Sequence, residues 1–256
     1  MIKYSEEEGF IKPVGIIRKS EENKNIDIPK TAIGVFSRHL YDDVVEKFSS
    51  CEIGSFLSTN MERKVYKIKY KDHEFTFFMA GVGGPMIAAD IDDLASVGVK
   101  NVIIFGNCGV LDKKIEDCSI IIPTKSFRDE GTSQHYVPDS ETIDLNTKYK
   151  KEFKEVLKEF NFDYTEGFTW TTDAIYRETP EKIKYFKEKG AVCVEMEGST
   201  IAAVTKRNKI NHFTFYYAGD NLDAVEWDER SIKGDVNLEK KRLVTILALE
   251  LGLKIS

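Results

Sequence analysis

The sequence predicts one α/β domain in which a sheet of buried strands is covered by amphipathic helices. Short apolar runs alternate with segments whose apolar residues recur at helical spacing, which is typical of α/β folds. Glycine and aspartate follow several of the apolar runs, as expected where strands end in turns. A length of 256 residues suits one large domain. Because no repeat, low-complexity tract or linker interrupts the pattern, we expect a single domain over residues 1–256, with residues 1–30 as an irregular lead-in.

The composition argues against nucleic-acid and membrane partners. Hydrophobic residues make up 41% of the chain, charged residues 31%, and the formal net charge is −6. A protein without a basic footprint is not expected to bind nucleic acid. No apolar run approaches the roughly 20 residues that span a bilayer, and the N-terminal sequence MIKYSEEEGF has no apolar signal core. We therefore expect a cytoplasmic protein that makes no membrane contact.

The four cysteines do not form a metal-binding pattern. Cys51, Cys108, Cys118 and Cys193 are far apart, with no Cys-x-x-Cys pair and no histidine at zinc spacing. Cys118 and Cys193 lie in or beside apolar runs and are expected to be reduced core residues. We expect no structural metal.

The first half of the chain predicts strands, a hairpin and two glycine-rich turns. The spacing of Gly34 and Arg38 places an arginine at a strand-to-helix turn. A guanidinium and the backbone N–H groups at such a turn can bind an oxyanion such as phosphate. Arginine near a helix end is also common without a ligand. In the helix after Pro85 the aspartates are expected to lie off the apolar face. We predict strands at Thr31–Phe36, Lys64–Tyr70, Glu74–Ala80 and Val102–Phe105, a helix at Arg38–Phe48, a hairpin turn at Lys71-Asp72-His73, and glycine-rich turns at Gly81–Gly84 and Gly106–Gly109.

The second half continues the alternation of strands and helices. The length and polarity of the segment Phe127–Pro138 predict a loop that is either functional or mobile, and we expect it to close over a ligand. The C-terminal helix is expected to pack Leu243, Ile246, Leu247 and Leu251. We predict strands at Ser119–Ile122, Tyr164–Thr169, Ala191–Val194 and His212–Ala218, and helices at Lys148–Phe160, Pro180–Lys189 and Leu238–Leu251.

The stretch Ala191–Asp220 places acidic residues where two successive strands end. Glu195, Met196 and Glu197 follow the first strand, and Asp220 follows the second. In open α/β sheets ligands bind at the carboxyl ends of strands, where carboxylates can hold a hydroxylated ligand or move a proton. The alternative is local: glutamate is favoured at a helix start, and aspartate after glycine is common in turns. Two such positions together favour a functional site.

Five short stretches of the sequence occur in the same order as the motifs of a known protein family. They are IGVFSR, GVGGP with its helix, FGNCGV, VEMEG and AGD, between about Thr31 and Asp220. On these residues the chain resembles the nucleoside phosphorylase family, which includes uridine phosphorylases, hexameric purine nucleoside phosphorylases and methylthioadenosine nucleosidases. The resemblance implies a three-layer α/β/α domain around a mixed, partly barrel-like sheet.

The resemblance also implies an activity and its partners. Family members cleave the N-glycosidic bond of a nucleoside, giving free base and ribose-1-phosphate when inorganic phosphate is the co-substrate. It implies no other cofactor, and homo-oligomers built as dimers or trimers of dimers. An acid at Asp220 implies purine nucleosides rather than uridine. We expect a nucleoside phosphorylase of the pentosyltransferase class.

Roles for the sugar and base residues follow from the resemblance position by position. Glu197 would hold the ribose hydroxyls and remain ionised, with Met196 packed on the sugar. Asp220 would protonate the base at N7, which requires that burial raise its pKa. Trp170 would stack on the base, and Arg177 and Glu178 are the nearest polar residues for reading it.

The chain departs from the family pattern among the positions expected to bind phosphate. Gly34, Arg38, Gly106 and Asn107 would contact phosphate. Ile104 occupies the position where phosphorolytic members carry an arginine. The missing charge is expected from Arg63 of a neighbouring subunit or from Arg128. The departure leaves hydrolysis on the same scaffold as one alternative and a non-catalytic nucleoside-binding protein as another.

Overall fold

The computed structural model describes residues 4–13, 27–57, 62–232 and 236–256. Within these ranges the strands are β1 (Thr31–Val35), β2 (Ser49–Leu57), β3 (Glu62–Tyr70), β4 (His73–Met79), β5 (Asn101–Val110), β6 (Ile120–Asp129), β7 (Thr142–Asp144), β8 (Tyr164–Thr172), β9 (Ala191–Glu195) and β10 (Asn211–Asn221). The helices are α1 (Arg38–Lys47), α2 (Gly84–Ser96), α3 (Ser133–Tyr136), α4 (Lys150–Glu159), α5 (Pro180–Glu188), α6 (Gly198–Asn208) and α7 (Leu238–Ile255), with a 3-10 turn at Ile175–Arg177.

The strands form one mixed sheet that closes on itself at one end. Its order is β10-β6-β8-β9-β5-β1-β4-β3-β2, and β10 also pairs with β5. Strands β5, β10, β6, β8 and β9 therefore form a closed ring. Pairing in the ring is parallel for β10 with β5 and antiparallel for β9 with β5. The expectation of a mixed, partly barrel-like sheet is confirmed.

Alternating side chains of the strands supply two cores, one on each face of the sheet. In β1, Ile33 belongs to the core under α1, α4 and α7, whereas its neighbour Ala32 belongs to the core under α2 and α6. In β4, Phe77 and Phe78 divide in the same way. Because helices cover both faces, the structure has the three layers that the resemblance implies.

Most predicted elements are present, with differences at their ends. The glycine-rich turn expected at Gly106–Gly109 is part of β5, because β10 pairs with β5 as far as Val110. Pro123 does not end β6, since the register with β8 shifts between Pro123 and Lys125 and accommodates the missing donor. Strand β2 was not predicted from the sequence.

The helices differ from the predictions in which residues they bury. Asp90 and Asp93 of α2 are buried rather than off the packed face. In α7 the sequence wrongly places Leu243 in the core, since it is 45% exposed, whereas Leu247 is fully buried. Within the described residues no helix combines the length and the apolar character that a membrane crossing requires.

The two leucines of α7 give a matched test of this packing. We expect Leu247→Ala to lower the free energy of unfolding by about 2 to 5 kcal/mol, because it leaves a cavity in the core. Leu243→Ala removes the same atoms from a half-exposed position and is expected to cost less than about 1 kcal/mol. Urea unfolding of both variants measures the difference, and equal losses would contradict the assignment.

Candidate functional site

A large cavity lies at the closed end of the sheet. Its volume is about 1100 Å³, and its wall comes from the ends of β5, β9 and β10, from the 3-10 turn, from α5 and from the segment that follows β10. Seven acidic residues line this wall, among them Glu178, Glu195, Glu197 and Asp220, together with Met196.

The register of three strands brings the acids together. Gly109 of β5 lies opposite Val194 of β9 and also opposite Asp220 of β10. Glu195 follows Val194 directly, Glu197 lies two residues beyond Glu195, and both line the same cavity as Asp220. A methyl group on Gly109 would lie 2.4 Å from Leu222 and 3.3 Å from an oxygen of Asp220, so the glycine leaves room for both side chains.

Glu197 is buried with only 6% of its surface exposed. Its Oε1 accepts a hydrogen bond of 2.6 Å from the backbone N–H of Gly83, in the glycine-rich turn before α2. Burial, and then the nearby Glu195, raise the pKa of Glu197 to about 8. The expectation that this residue remains ionised therefore does not hold for the ligand-free protein, in which a large share of the carboxyl is protonated at neutral pH.

Glu195 has a structural role that the sequence did not reveal. Its carboxylate accepts hydrogen bonds from the hydroxyl of Thr171 at 2.5 Å and from the backbone N–H groups of Glu197 and Gly198 at 2.7 and 2.5 Å. These N–H groups belong to the start of α6, where helical donors lack partners. Glu195 thus fixes the turn that presents Met196 and Glu197 to the cavity.

Asp220 and Glu178 share the other side of the cavity. The indole N–H of Trp227 donates to Oδ2 of Asp220 at 2.7 Å. Burial raises the pKa of Asp220, which is the direction that a proton donor needs. Burial, and then the charge of Asp220, raise the pKa of Glu178 to about 7. This part of the cavity therefore holds one carboxyl group with a pKa near neutral, Glu178, and a second, Asp220, whose pKa is raised in the same direction.

The aromatic residues on the wall are not the predicted ones. Trp170 is fully buried, stacks on Phe186 with ring centroids 4.4 Å apart, and donates to Asp129. It does not line the cavity, because β8 continues through Thr172 and turns this side chain into the core. Tyr176 and Trp227 line the wall instead.

Of the predicted phosphate residues, only Asn107 lies on the cavity wall. The side chain of Arg38 is 72% exposed and pairs with Asp42 of the same helix at 2.7 Å. Gly34 and Gly106 are strand residues whose missing side chains leave room for the rings of Phe78 and Phe36.

The two arginines proposed as replacements for the missing charge are also engaged elsewhere. Arg63 is buried and forms an ion pair with Asp90 of its own chain. The guanidinium of Arg128 donates to Ser133 at 2.8 Å and to the carbonyl of Pro138 at 2.8 Å. Arg177 is exposed on the 3-10 turn and is not on the wall. Among the lining residues of the described chain the cations are therefore Lys184 and Lys187.

The polar segment Phe127–Pro138 lies away from the wall. It comprises the end of β6 and the short α3, and the buried Glu130 accepts hydrogen bonds from Ser199 and Thr200 of α6, each at 3.0 Å. These bonds fasten the segment to the protein, so the structure offers no support for a lid made of it.

Sequence reasoning missed Trp227 and Tyr176 as wall residues, along with the structural role of Glu195. The only available signal was position: Tyr176 follows a strand end, and Trp227 lies seven residues beyond Asp220. Neither spacing distinguishes a wall residue from an exposed one without the three-dimensional structure.

The model of the phosphorylase superfamily matches residues 30–249, so the chain belongs to that superfamily. This agrees with the resemblance drawn from the five sequence stretches, and with the observed sheet and its layers.

Individual relatives include enzymes with different names. A guanosine phosphorylase of Halorubrum lacusprofundi is 24% identical over 212 residues, covering 78% of this chain and 85% of its own length. The structure of a uridine phosphorylase of Vibrio fischeri superposes with a TM-score of 0.74 at 22% identity, covering 89% of this chain and 92% of that one. An AMP nucleosidase of Bacteroides thetaiotaomicron gives 0.73 at 19% identity, with 91% of each chain covered. The two structures share the fold of this chain.

The raised pKa of Glu197 predicts a dependence of stability on pH. Between pH 4.5 and 8 the unfolded chain ionises this carboxyl while the folded chain keeps its proton, so its contribution to stability falls as pH rises. The slope is at most about 1.4 kcal/mol per pH unit. Glu197→Gln should remove it, so that the variant gains stability relative to wild type from pH 5 to pH 8. Urea unfolding at both pH values measures this. Glu181→Gln, on the exposed face of α5, is the control, and an equal gain in that variant would contradict the assignment.

Proposed function

We propose that the protein is a nucleoside phosphorylase that transfers the ribosyl group of a purine nucleoside to inorganic phosphate. The observation that carries the proposal is the placement of Glu197 and Asp220 on the wall of one cavity, beside Met196. Membership of the phosphorylase superfamily supports it, as do relatives that include a guanosine phosphorylase.

The chemistry of the bond explains why two acids are needed. The C1′–N9 bond breaks with its electron pair leaving on the base, and the sugar becomes an oxocarbenium-like cation. A carboxylate beneath the sugar and a proton donor at the base stabilise this transition state more than the ground state. We assign the first role to Glu197 and the second to Asp220, which gives its proton to N7, while a phosphate oxygen forms the new bond to C1′.

Substrate binding also accounts for the ionisation of Glu197. Sugar hydroxyls that donate to the carboxylate favour its charged form and lower its pKa from about 8. The hydrogen bond from Gly83 acts in the same direction. The charge is then formed where the cationic sugar develops.

The acids on the base side favour a purine. Only a purine presents an N7 atom to Asp220, and Glu178 adds a carboxyl that can accept from base N–H groups. Neither Arg177 nor Trp170 lines the cavity, so we assign base recognition to Asp220, Glu178 and Tyr176.

For phosphate we propose Asn107 together with Arg38. The pair of Arg38 with Asp42 is an exposed i,i+4 pair, and such pairs contribute about 0.5 kcal/mol or less. A phosphate dianion can therefore compete for this guanidinium at the start of α1. Gly34 and Gly106 would serve by leaving space rather than by direct contact.

Hydrolysis is the second candidate, and one observation favours it. Ile104 is fully buried in β5, and no arginine is among the cavity-lining residues that the structure describes. The same sugar and base residues would then direct a water molecule to C1′.

Product analysis separates these reactions. Guanosine, inosine, adenosine, uridine and thymidine are incubated with and without phosphate. We expect turnover of the purine nucleosides that requires phosphate and yields ribose-1-phosphate. Free ribose, formed at the same rate without phosphate, would replace phosphorolysis by hydrolysis. Binding without turnover of any nucleoside would favour a non-catalytic binding protein.

Two substitutions test the assigned roles. Glu197→Ala is expected to lower kcat at least about 100-fold on every substrate, because the developing cation loses its counter-charge. Asp220→Asn should reduce kcat on purine nucleosides far more than on pyrimidine nucleosides, which have no N7 to protonate. Asp72→Asn, in the exposed turn between β3 and β4, is the matched control. Equal losses on both classes in Asp220→Asn would contradict its role.

A further inference from the structure

The geometry of the buried ion pair of Arg63 and Asp90 indicates a role other than stabilising the fold. Its two side chains are 4% and 1% exposed, and both guanidinium Nη atoms donate to the carboxylate, at 2.5 and 2.6 Å. Arg63, which the sequence suggested as an arginine for a neighbouring subunit, pairs here with a residue of its own chain. A buried pair is weak evidence for stability, since apolar residues of similar volume are often equally stable.

The pair holds the first residue of the glycine-rich turn that leads into α2. Oδ2 of Asp90 accepts a hydrogen bond of 2.8 Å from the backbone N–H of Gly81, and Nη1 of Arg63 donates to the carbonyl of Met79 at 3.0 Å. A methyl group on Gly81 would lie 3.1 Å from both the guanidinium and the carboxylate. The backbone on both sides of Ala80 is therefore bound to the pair.

The other end of this turn binds Glu197. Val82 lines the cavity, and the N–H of Gly83, whose φ of +87° is favourable only for glycine, donates to the Glu197 carboxylate at 2.6 Å. Only Val82 thus separates the residue whose N–H is held by Asp90 from the residue whose N–H holds Glu197. A turn this short transmits a displacement of Gly81 directly to Gly83.

We propose that Arg63 and Asp90 are positioning residues for Glu197, acting through the turn Gly81–Gly83. The pair fixes the N–H of Gly83 where it both orients the Glu197 carboxylate and favours its charged form. Arg63 therefore contributes to the reaction without touching phosphate or nucleoside. The kinetic part of this inference rests on the proposed function.

The test replaces both charges at once, because removing one partner alone leaves an unpaired buried charge. The double variant Arg63→Met with Asp90→Leu is expected to keep a melting temperature near that of wild type. Its kcat should fall about 100-fold, since a displacement of about 1 Å in a catalytic group has that effect, with little change in KM. Arg63→Met with Asp90→Asn retains an acceptor for the Gly81 N–H without leaving a buried charge unpaired, and should lose less kcat. The control is Lys64→Met with Glu52→Gln, which removes the exposed ion pair beside Arg63 and should change nothing.

Two further measurements distinguish positioning from a general loss of structure. In a Glu197→Gln background, adding the double substitution should cause little further loss of kcat, because both changes remove the same contribution. In hydrogen–deuterium exchange the amides of Gly81–Gly83 should exchange faster in the double variant than in wild type. Full kcat in the folded double variant, additive losses, or unchanged exchange would overturn the inference. If wild type turns over no nucleoside, the proposed function fails, and the exchange measurement still decides the positioning role.

Discussion

The site depends on the pairing of β10 with two different strands. Because β10 is parallel to β5 and antiparallel to β6, it closes five strands into a ring, and the cavity lies at one end of that ring. Gly109 sits opposite residues of both β9 and β10. The absence of a side chain at Gly109 leaves room for Leu222 and for the carboxylate of Asp220 where the two acid-bearing strand ends approach each other.

Burial disfavours the charged forms of the carboxyl groups around the cavity. The number of hydrogen bonds that offset this penalty differs from one carboxyl group to the next. Glu195 accepts hydrogen bonds from two threonine hydroxyls and two backbone N–H groups. Glu197 accepts one from Gly83, and Asp220 one from Trp227. The well-compensated acid supports the backbone, while the two less compensated acids line the space where a ligand would supply the missing partners. This gradation separates the carboxylate that supports the backbone from the two carboxylates to which we assign a role in the proposed reaction.

Several parts of this site were predictable from local patterns. The sequence VEMEG lies between an apolar run and a helical pattern, and AGD ends another apolar run, so acids at strand ends could be expected near one another. The roles of the arginines could not be predicted in this way. Arg63 is paired with a residue 27 positions away, and Arg128 with Ser133 and the Pro138 carbonyl, and no local rule identifies such partners. Trp170 was predicted to lie in a loop beside the base, but β8 extends three residues beyond the predicted strand end at Thr169 and includes it.

By itself the sequence determined the α/β class, most of the strands and helices, and the family resemblance, because periodicity and turn chemistry act over a few neighbouring residues. Tertiary structure alone decided which acids face the cavity, which arginines are engaged inside the protein, and which aromatic residues form the wall. Those outcomes depend on strand register, ring closure and burial, and these are set by contacts between residues far apart in the chain.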